Sequence, residues 1–165
     1  MEAPERSCSS PFCPDGSSAN IRISEAGPCD IKDIRIIERY GFAPYLIRRG
    51  GYFEKRMRGG RVLVAMDGTS AIGYAAATFT KRLCCISDLA VHPGFRRQGT
   101  ASQLMACIEE MAKARRIGRM RLVVDITNVA ASGLYEKSGF VPVRLLPDYY
   151  WGAHGMRMEK NIFRN

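Results

Sequence analysis

No apolar run in the 165 residues approaches the roughly 18 that a helix needs to cross a bilayer, so no helical membrane span is expected. The opening MEAPERSCSS lacks the basic-then-apolar order of a secretory signal, which makes the cytoplasm the expected location. Histidine is scarce, with two residues, and neither a CxxC pair nor paired histidines complete the four ligands of a zinc site. No metal is implied. The six cysteines read as reduced thiols. Cys8 and Cys13 lie in a polar stretch, whereas Cys29, Cys84, Cys85 and Cys107 lie in segments with folded character, mostly as small core hydrophobes. Acidic residues are the minority: 16 Asp and Glu against 25 Lys and Arg give a formal net charge of +9. Such a surface attracts polyanions, whether nucleic acid, ribosome or a phosphorylated cofactor. The arginines are scattered, however, and no zinc-finger or RNA-recognition signature occurs. No specific DNA binding is expected, and charge alone names no partner.

What is present has the pattern of one α/β domain. Residues 1–19, rich in Ser and Pro, read as a flexible tail, and residues 20–165 as the folded domain. In NIRISEA, Ile21 and Ile23 alternate with polar residues as on a half-buried strand. Asp30 is placed to cap a helix that carries Ile31, Ile34 and Ile37 on one face and stops at Gly41. PYLIRRGGYFEKRMRGG is a second helical segment, broken by Gly50 and Gly51. RVLVAM and AIGYAAATFT form a hairpin around DGT, and LCCISDLAV is a fourth strand on which Cys84 and Cys85 face opposite ways. Thr100 to Arg115 is the clearest helix: Leu104, Ile108 and Met111 follow helical spacing, Met105 and Ala112 flank them, and Glu109 is spaced to pair with Lys113. MRLVVDI is a fifth strand. Asn128 is placed to cap a short helix ending near Gly139, and FVPVRLL and HGMRMEKN close the chain as strands. The order is βααβββαβαββ, a sheet with helices packed on it.

The turn between the fourth strand and the long helix carries the first chemical signal. Unpaired amides and the positive dipole end of a helix start attract anions, and small residues let a phosphate approach the backbone. In RRQGTA, Arg96 and Arg97 add charge while Gly99 and Ala101 remove bulk, which is the composition of a pyrophosphate cradle. The Walker ending GK[ST] and the dinucleotide pattern GxGxxG are both absent. A plain basic turn before a surface helix is the alternative.

A second motif follows, NVAASGLYEKSGF from Asn128 to Phe140. Together, Arg96-x-x-Gly99-x-Ala101 and Asn128-x-x-Ala131-x-x-Leu134-Tyr135-x-x-x-Gly139-Phe140 resemble the GNAT family of acetyl-coenzyme A-dependent N-acetyltransferases. The resemblance extends over about residues 20 to 160. It is strongest to RimI-like and archaeal and eukaryotic protein N-terminal acetyltransferases, whose tyrosine pair and late methionine are matched by Tyr149, Tyr150 and Met158. His154-Gly155 replace the Asp-Ala of those enzymes, and Val123 stands where they often carry a catalytic glutamate.

The resemblance implies a mixed sheet of six to seven strands with about four helices, in which the fourth and fifth strands splay apart. It implies acetyl-CoA as cofactor, with the pantetheine arm along the backbone of Leu89, Ala90 and Val91. The pyrophosphate then lies on Arg96, Arg97, Gln98, Gly99, Thr100 and Ala101. Asn128 and Ala131 contact the arm, and an amide near Val91 polarises the thioester. Tyr135 is placed by the resemblance near the sulfur, to protonate or position the leaving thiolate; the alternative is a packed amphipathic tyrosine. With Val123 at the glutamate position, Asp88 is the candidate base, or a polar residue satisfying the splayed strand. His92 reads as a turn residue ahead of Pro93, with a base near neutral pH as the alternative, and His154 as a surface imidazole, with a substrate contact as the alternative. Tyr149 and Tyr150 line a peptide site or pack an edge strand.

These expectations lead to direct acetyl transfer in a ternary complex. A free α-amine, with pKa about 7.7–8.0, is roughly a fifth neutral at pH 7.2, whereas lysine at about 10.4 is almost wholly charged. A site without the usual glutamate therefore favours the N-terminal α-amine of a protein or peptide. Small amines, polyamines or protein lysines are the first rival, and a non-catalytic CoA-binding or ribosome-associated module is the second. A monomer or homodimer is expected.

Overall fold

The computed structural model describes residues 21–42, 47, 50–58, 62–150 and 152–163. The expected tail, with Cys8 and Cys13, and parts of the second helical segment lie outside the described residues. The expected element order is found: β1 (Ile21–Glu25), α1 (Ile31–Gly41), α2 (Tyr52–Met57), β2 (Val62–Asp67), β3 (Ser70–Phe79), β4 (Cys84–Val91), α3 (Thr100–Ala114), β5 (Arg119–Asp125), α4 (Val129–Lys137), β6 (Val141–Tyr150) and β7 (Ala153–Asn161). Seven strands form a sheet in the order β1-β2-β3-β4-β5-β7-β6. Its ladders are antiparallel except the one between β4 and β5, which is parallel.

Strand alternation builds two cores on opposite faces. On β2, Leu63 and Ala65 pack toward α3, while Val62, Val64 and Met66 pack toward α1 and α2. Helix α3 buries Leu104, Ile108, Met111 and Ala112, so its helical spacing gives the expected apolar face. Its polar side is tied down as well. Lys113 Nζ lies 3.3 Å from Glu109 and 2.8 Å from Glu110, and Lys160 of β7 reaches Glu109 at 2.6 Å. Helix α1 buries Ile34 and Ile37 against the other face of the sheet.

The Asp30 cap differs from expectation. Its backbone is already helical, and its carboxylate reaches back to accept from Gly27 N at 2.8 Å. Pro28 starts a short 3₁₀ turn ahead of α1, so the chain is wound before Asp30 and the forward amides fall out of reach of the side chain.

Two irregularities in β4 position the site. Ala76 pairs with Asp88 and Ala77 with Ile86, which leaves Ser87 as an extra residue in β4. This bulge reverses the alternation. Cys84 and Ile86 face α3, but Asp88 and Ala90 face the α1–α2 side. In addition, β4 meets β5 only through Cys84–Met120 and Cys85–Arg121, so the two strands part beyond those pairs.

Burial separates two neighbouring isoleucines of α1, Ile34 at 0% and Ile36 at 50% exposure. Ile34→Ala should lower the unfolding free energy in urea by about 2–5 kcal/mol. Ile36→Ala should change it by no more than about 0.5 kcal/mol.

Candidate active site

Where β4 and β5 part, a cleft of about 610 Å³ opens. Asp88 and Leu89 line it from β4, Val123 from β5, Tyr135 from α4, and Tyr149 and Tyr150 from β6. Asn128, Ala131, Arg121 and Arg157 also border it. Residues expected to act together, Asp88, Leu89, Asn128, Ala131, Tyr135, Tyr149 and Tyr150, are thus brought to one cavity.

Val91 ends β4, and the turn to α3 is locally self-supporting. Gly94 N donates to His92 Nδ1 at 3.3 Å, and Phe95 N to the His92 carbonyl at 2.9 Å. His92 is therefore a turn residue, with its ring edge-on to Tyr40 and Phe95. Arg96 Nε donates to the Val91 carbonyl at 3.1 Å and Arg96 Nη2 to the Tyr40 carbonyl at 3.3 Å. Arg96 thereby straps the turn to β4 and α1. Arg97 and Gly99 both take left-handed backbone, with φ of 64° and 84°, to swing the chain into α3. Arg97, Gln98 and Gly99 are exposed, and Thr100 is buried with its Oγ1 unpartnered. The first-turn amides of α3 lack helical acceptors by construction. Small residues, an exposed helix start and a parted pair of strands fit a long phosphorylated thioester. Ala90 contributes no cleft-facing side chain, because it packs into the core under α1 and α2, close against Gly41.

Asp88 is 4% exposed and sits on that side, where the Tyr52 hydroxyl of α2 donates to its Oδ2 at 2.5 Å. Arg56 in turn stacks over the Tyr52 ring at 4.8 Å and donates to Thr78 Oγ1 at 2.6 Å, which holds α2 on β3. Tyr135 is buried in the opposite core, edge-on to Phe140. Burial, and secondarily the charge of Asp88, push its phenol up to about 12 from 10.0. It is therefore protonated at neutral pH. Asn128 Oδ1 accepts from Ala131 N at 3.1 Å, the expected cap of α4.

On the far side of the cleft, the Tyr150 hydroxyl donates to the Val123 carbonyl at 2.9 Å, and the Tyr149 and Tyr150 rings meet edge-on with centroids 4.8 Å apart. A Cβ on Gly155 would lie 2.7 Å from Val123 Cγ1 and 3.1 Å from Tyr149 Cβ. The glycine found there lets β5 and Tyr149 close around β7. His154 is exposed and accepts from Asp148 N at 3.1 Å, in keeping with a surface imidazole.

Sequence reasoning missed Tyr52, Arg121 and Arg157. Tyr52 lies 36 residues from its partner Asp88, in a helix of only six residues, and no spacing links the two. Arg157 is different: it stands directly across the ladder from Val123, and the alternation in MRM put it on the face opposite Met156 and Met158.

A family model described as the Acetyltransferase (GNAT) family matches residues 31–140, and the chain belongs to that family. It is 34% identical over 70 residues to the [Ribosomal protein bS18]-alanine N-acetyltransferase of Haemophilus ducreyi, covering 42% of this chain and 48% of that protein. The chain spans about half the length of the curated relatives it matches, 58% and 48%. Its fold is similar to that of the ribosomal-protein-S18-alanine N-acetyltransferase from Escherichia coli, with TM-score 0.79, 22% identity, and coverage of 88% and 96% of the two chains. It is also similar to Ard1 from Thermoplasma volcanium, with TM-score 0.78, 24% identity, and coverage of 87% and 99%. Among the described residues no helix is long and apolar enough to cross a membrane.

Three outcomes are expected of variants in and beside the cleft. The unfolded chain releases the Tyr135 proton near pH 10 and the native chain near pH 12, so the unfolding free energy should fall as pH rises through that window. Tyr135→Phe should remove this part of the slope in urea titrations. Gly155→Ala should destabilise by about 1–3 kcal/mol through the crowding of Val123 and Tyr149. Gly133→Ala, in open space within α4, should stabilise by about 1 kcal/mol.

Proposed function

We propose that the protein acetylates the N-terminal α-amine of a protein or peptide, by direct transfer from acetyl-CoA in a ternary complex. The observation that carries this reading is the facing of Asp88 and Tyr135 across the gap between β4 and β5, beside the Tyr149–Tyr150 hairpin.

Acetyl-CoA, the donor used by the family, supplies an acetyl group on a good leaving sulfur. Arg97, Gln98, Gly99, Thr100 and Ala101 would receive its pyrophosphate at the start of α3, with Arg96 keeping the turn in shape. The parted edges of Leu89 to Val91 would hold the arm by backbone hydrogen bonds, with Asn128 and Ala131 beside it.

Asp88 accepts the proton of the attacking amine, directly or through a water, and Tyr52 fixes the carboxylate for that task. Tyr135 works by hydrogen bonding. A phenol at about 12 does not surrender its proton to a thiolate with an ordinary pKa of about 8.5. Its O–H instead stabilises the charge that develops on sulfur, and the displaced proton leaves by way of Asp88. Tyr149 and Tyr150 present aromatic surface to the acceptor backbone.

The α-amine is favoured over a polyamine because the cleft is not acidic: Arg121 and Arg157 border it alongside Asp88 and Asp125. The relatives that act on ribosomal protein bS18 support a protein acceptor and a cytoplasmic setting. Thiol release from acetyl-CoA is the test, with free-amine peptides set against the same peptides blocked at the α-amine, lysine peptides and spermidine. Release confined to free α-amines is expected, and release with spermidine or lysine alone overturns the reading. Tyr135→Phe should lower kcat by about 10²-fold while leaving the Kd for CoA within a few-fold.

A further inference from the structure

We infer that Arg157 selects the acceptor by binding a carboxylate that the acceptor carries close to its reacting amine. This rests on the reading of the cleft as an acetyl-transfer site.

Arg157 lies on β7 opposite Val123 on β5, and cross-strand partners project from the same face of a sheet. Leu122 and Val124 point into the α3-side core, so Val123 and Arg157 point to the other side. The Ser87 bulge turns Asp88 to that same side. Asp88, Val123 and Arg157 therefore line one wall of the cleft, on the face away from α3.

Two arginines border this wall and differ in their partners. Arg121 Nε donates to Glu159 Oε1 at 2.7 Å, so its charge is met within the chain. Arg157 forms no ion pair among the described residues, and its Nε is buried without any hydrogen-bond partner. Arg157 is half-buried, and a donor that has lost its water without gaining a partner leaves the group short of the pairing that guanidinium groups ordinarily find. The residue best placed to meet the charge is Val123, directly across the ladder, and it has no polar atom. A carboxylate at position 123 would neutralise Arg157 internally. With valine there, the planar fork is left for a carboxylate from outside, which it can bind through two parallel hydrogen bonds. The donor's pyrophosphate is provided for elsewhere, at the start of α3.

The carboxylate has two sources, an acidic side chain at a peptide N-terminus or the α-carboxylate of a free amino acid. The experiment compares kcat/KM for peptide amides beginning with Asp and with Asn, and for free alanine and alaninamide. Calorimetry with N-acetyl-Asp and N-acetyl-Asn peptide amides, and with N-acetylalanine and its amide, measures recognition without turnover. Wild-type protein should favour the carboxylate member of one pair by about tenfold or more, chiefly through KM and Kd. The pair that responds identifies the source. Arg157→Gln should erase the preference, Arg157→Lys should restore part of it, and Val123→Glu should erase it while Arg157 is still present. Thermal melts confirm that each variant is folded. Equal handling of both members in both pairs, or a preference that survives Arg157→Gln, overturns the inference. If no amine is acetylated, the acetyl-transfer reading fails, while the calorimetry still decides whether Arg157 binds a carboxylate.

Discussion

The parting of β4 from β5 is the constraint on which the rest of the site depends. A parallel ladder normally continues along the length of its strands, because buried amides and carbonyls need partners. Here it stops after Cys84–Met120 and Cys85–Arg121. Beyond that point two strand edges face each other across a cavity. An extended ligand that brings its own donors and acceptors can lie between them as an additional strand would. The sheet is braced on both sides of the gap. Strands β1 to β3 hold β4 from one side, and β7, backed by β6, holds β5 from the other. The gap is therefore framed on both sides by paired strands.

The bulge at Ser87 gives the gap its chemistry. Without the extra residue, Asp88 would point into the α3-side core, where no partner for a carboxylate awaits it. With it, Asp88 meets the Tyr52 hydroxyl, and Tyr135 stays on the other face within reach of the same charge. One inserted residue thus places a carboxylate and a phenol on opposite faces of the sheet at the same gap. The pKa of the phenol follows from this placement, since burial and a nearby carboxylate both oppose its ionisation.

Much of this was legible in the chain. The period of α3 and the cap at Asn128 are local features, and each appears where its residues predict. Asp88, Tyr135, Tyr149 and Tyr150 were identified by resemblance, and the fold gathers them in one cleft. Asp30 misled because a carboxylate before a helix has two nearby amides to choose from, and the 3₁₀ turn decides between them.

The sequence by itself determined the order of elements, the faces that the helices and the unbroken strands bury, and the family, because side-chain periodicity and turn chemistry are properties of neighbouring residues. Tertiary structure alone decided that Tyr52 holds Asp88, that Gly155 makes room for Val123 and Tyr149, and that Arg157 meets no carboxylate among the described residues. Each of these is a contact between segments far apart in the chain. Its existence depends on strand register and on a single bulge, and neither is written in the local pattern of residues.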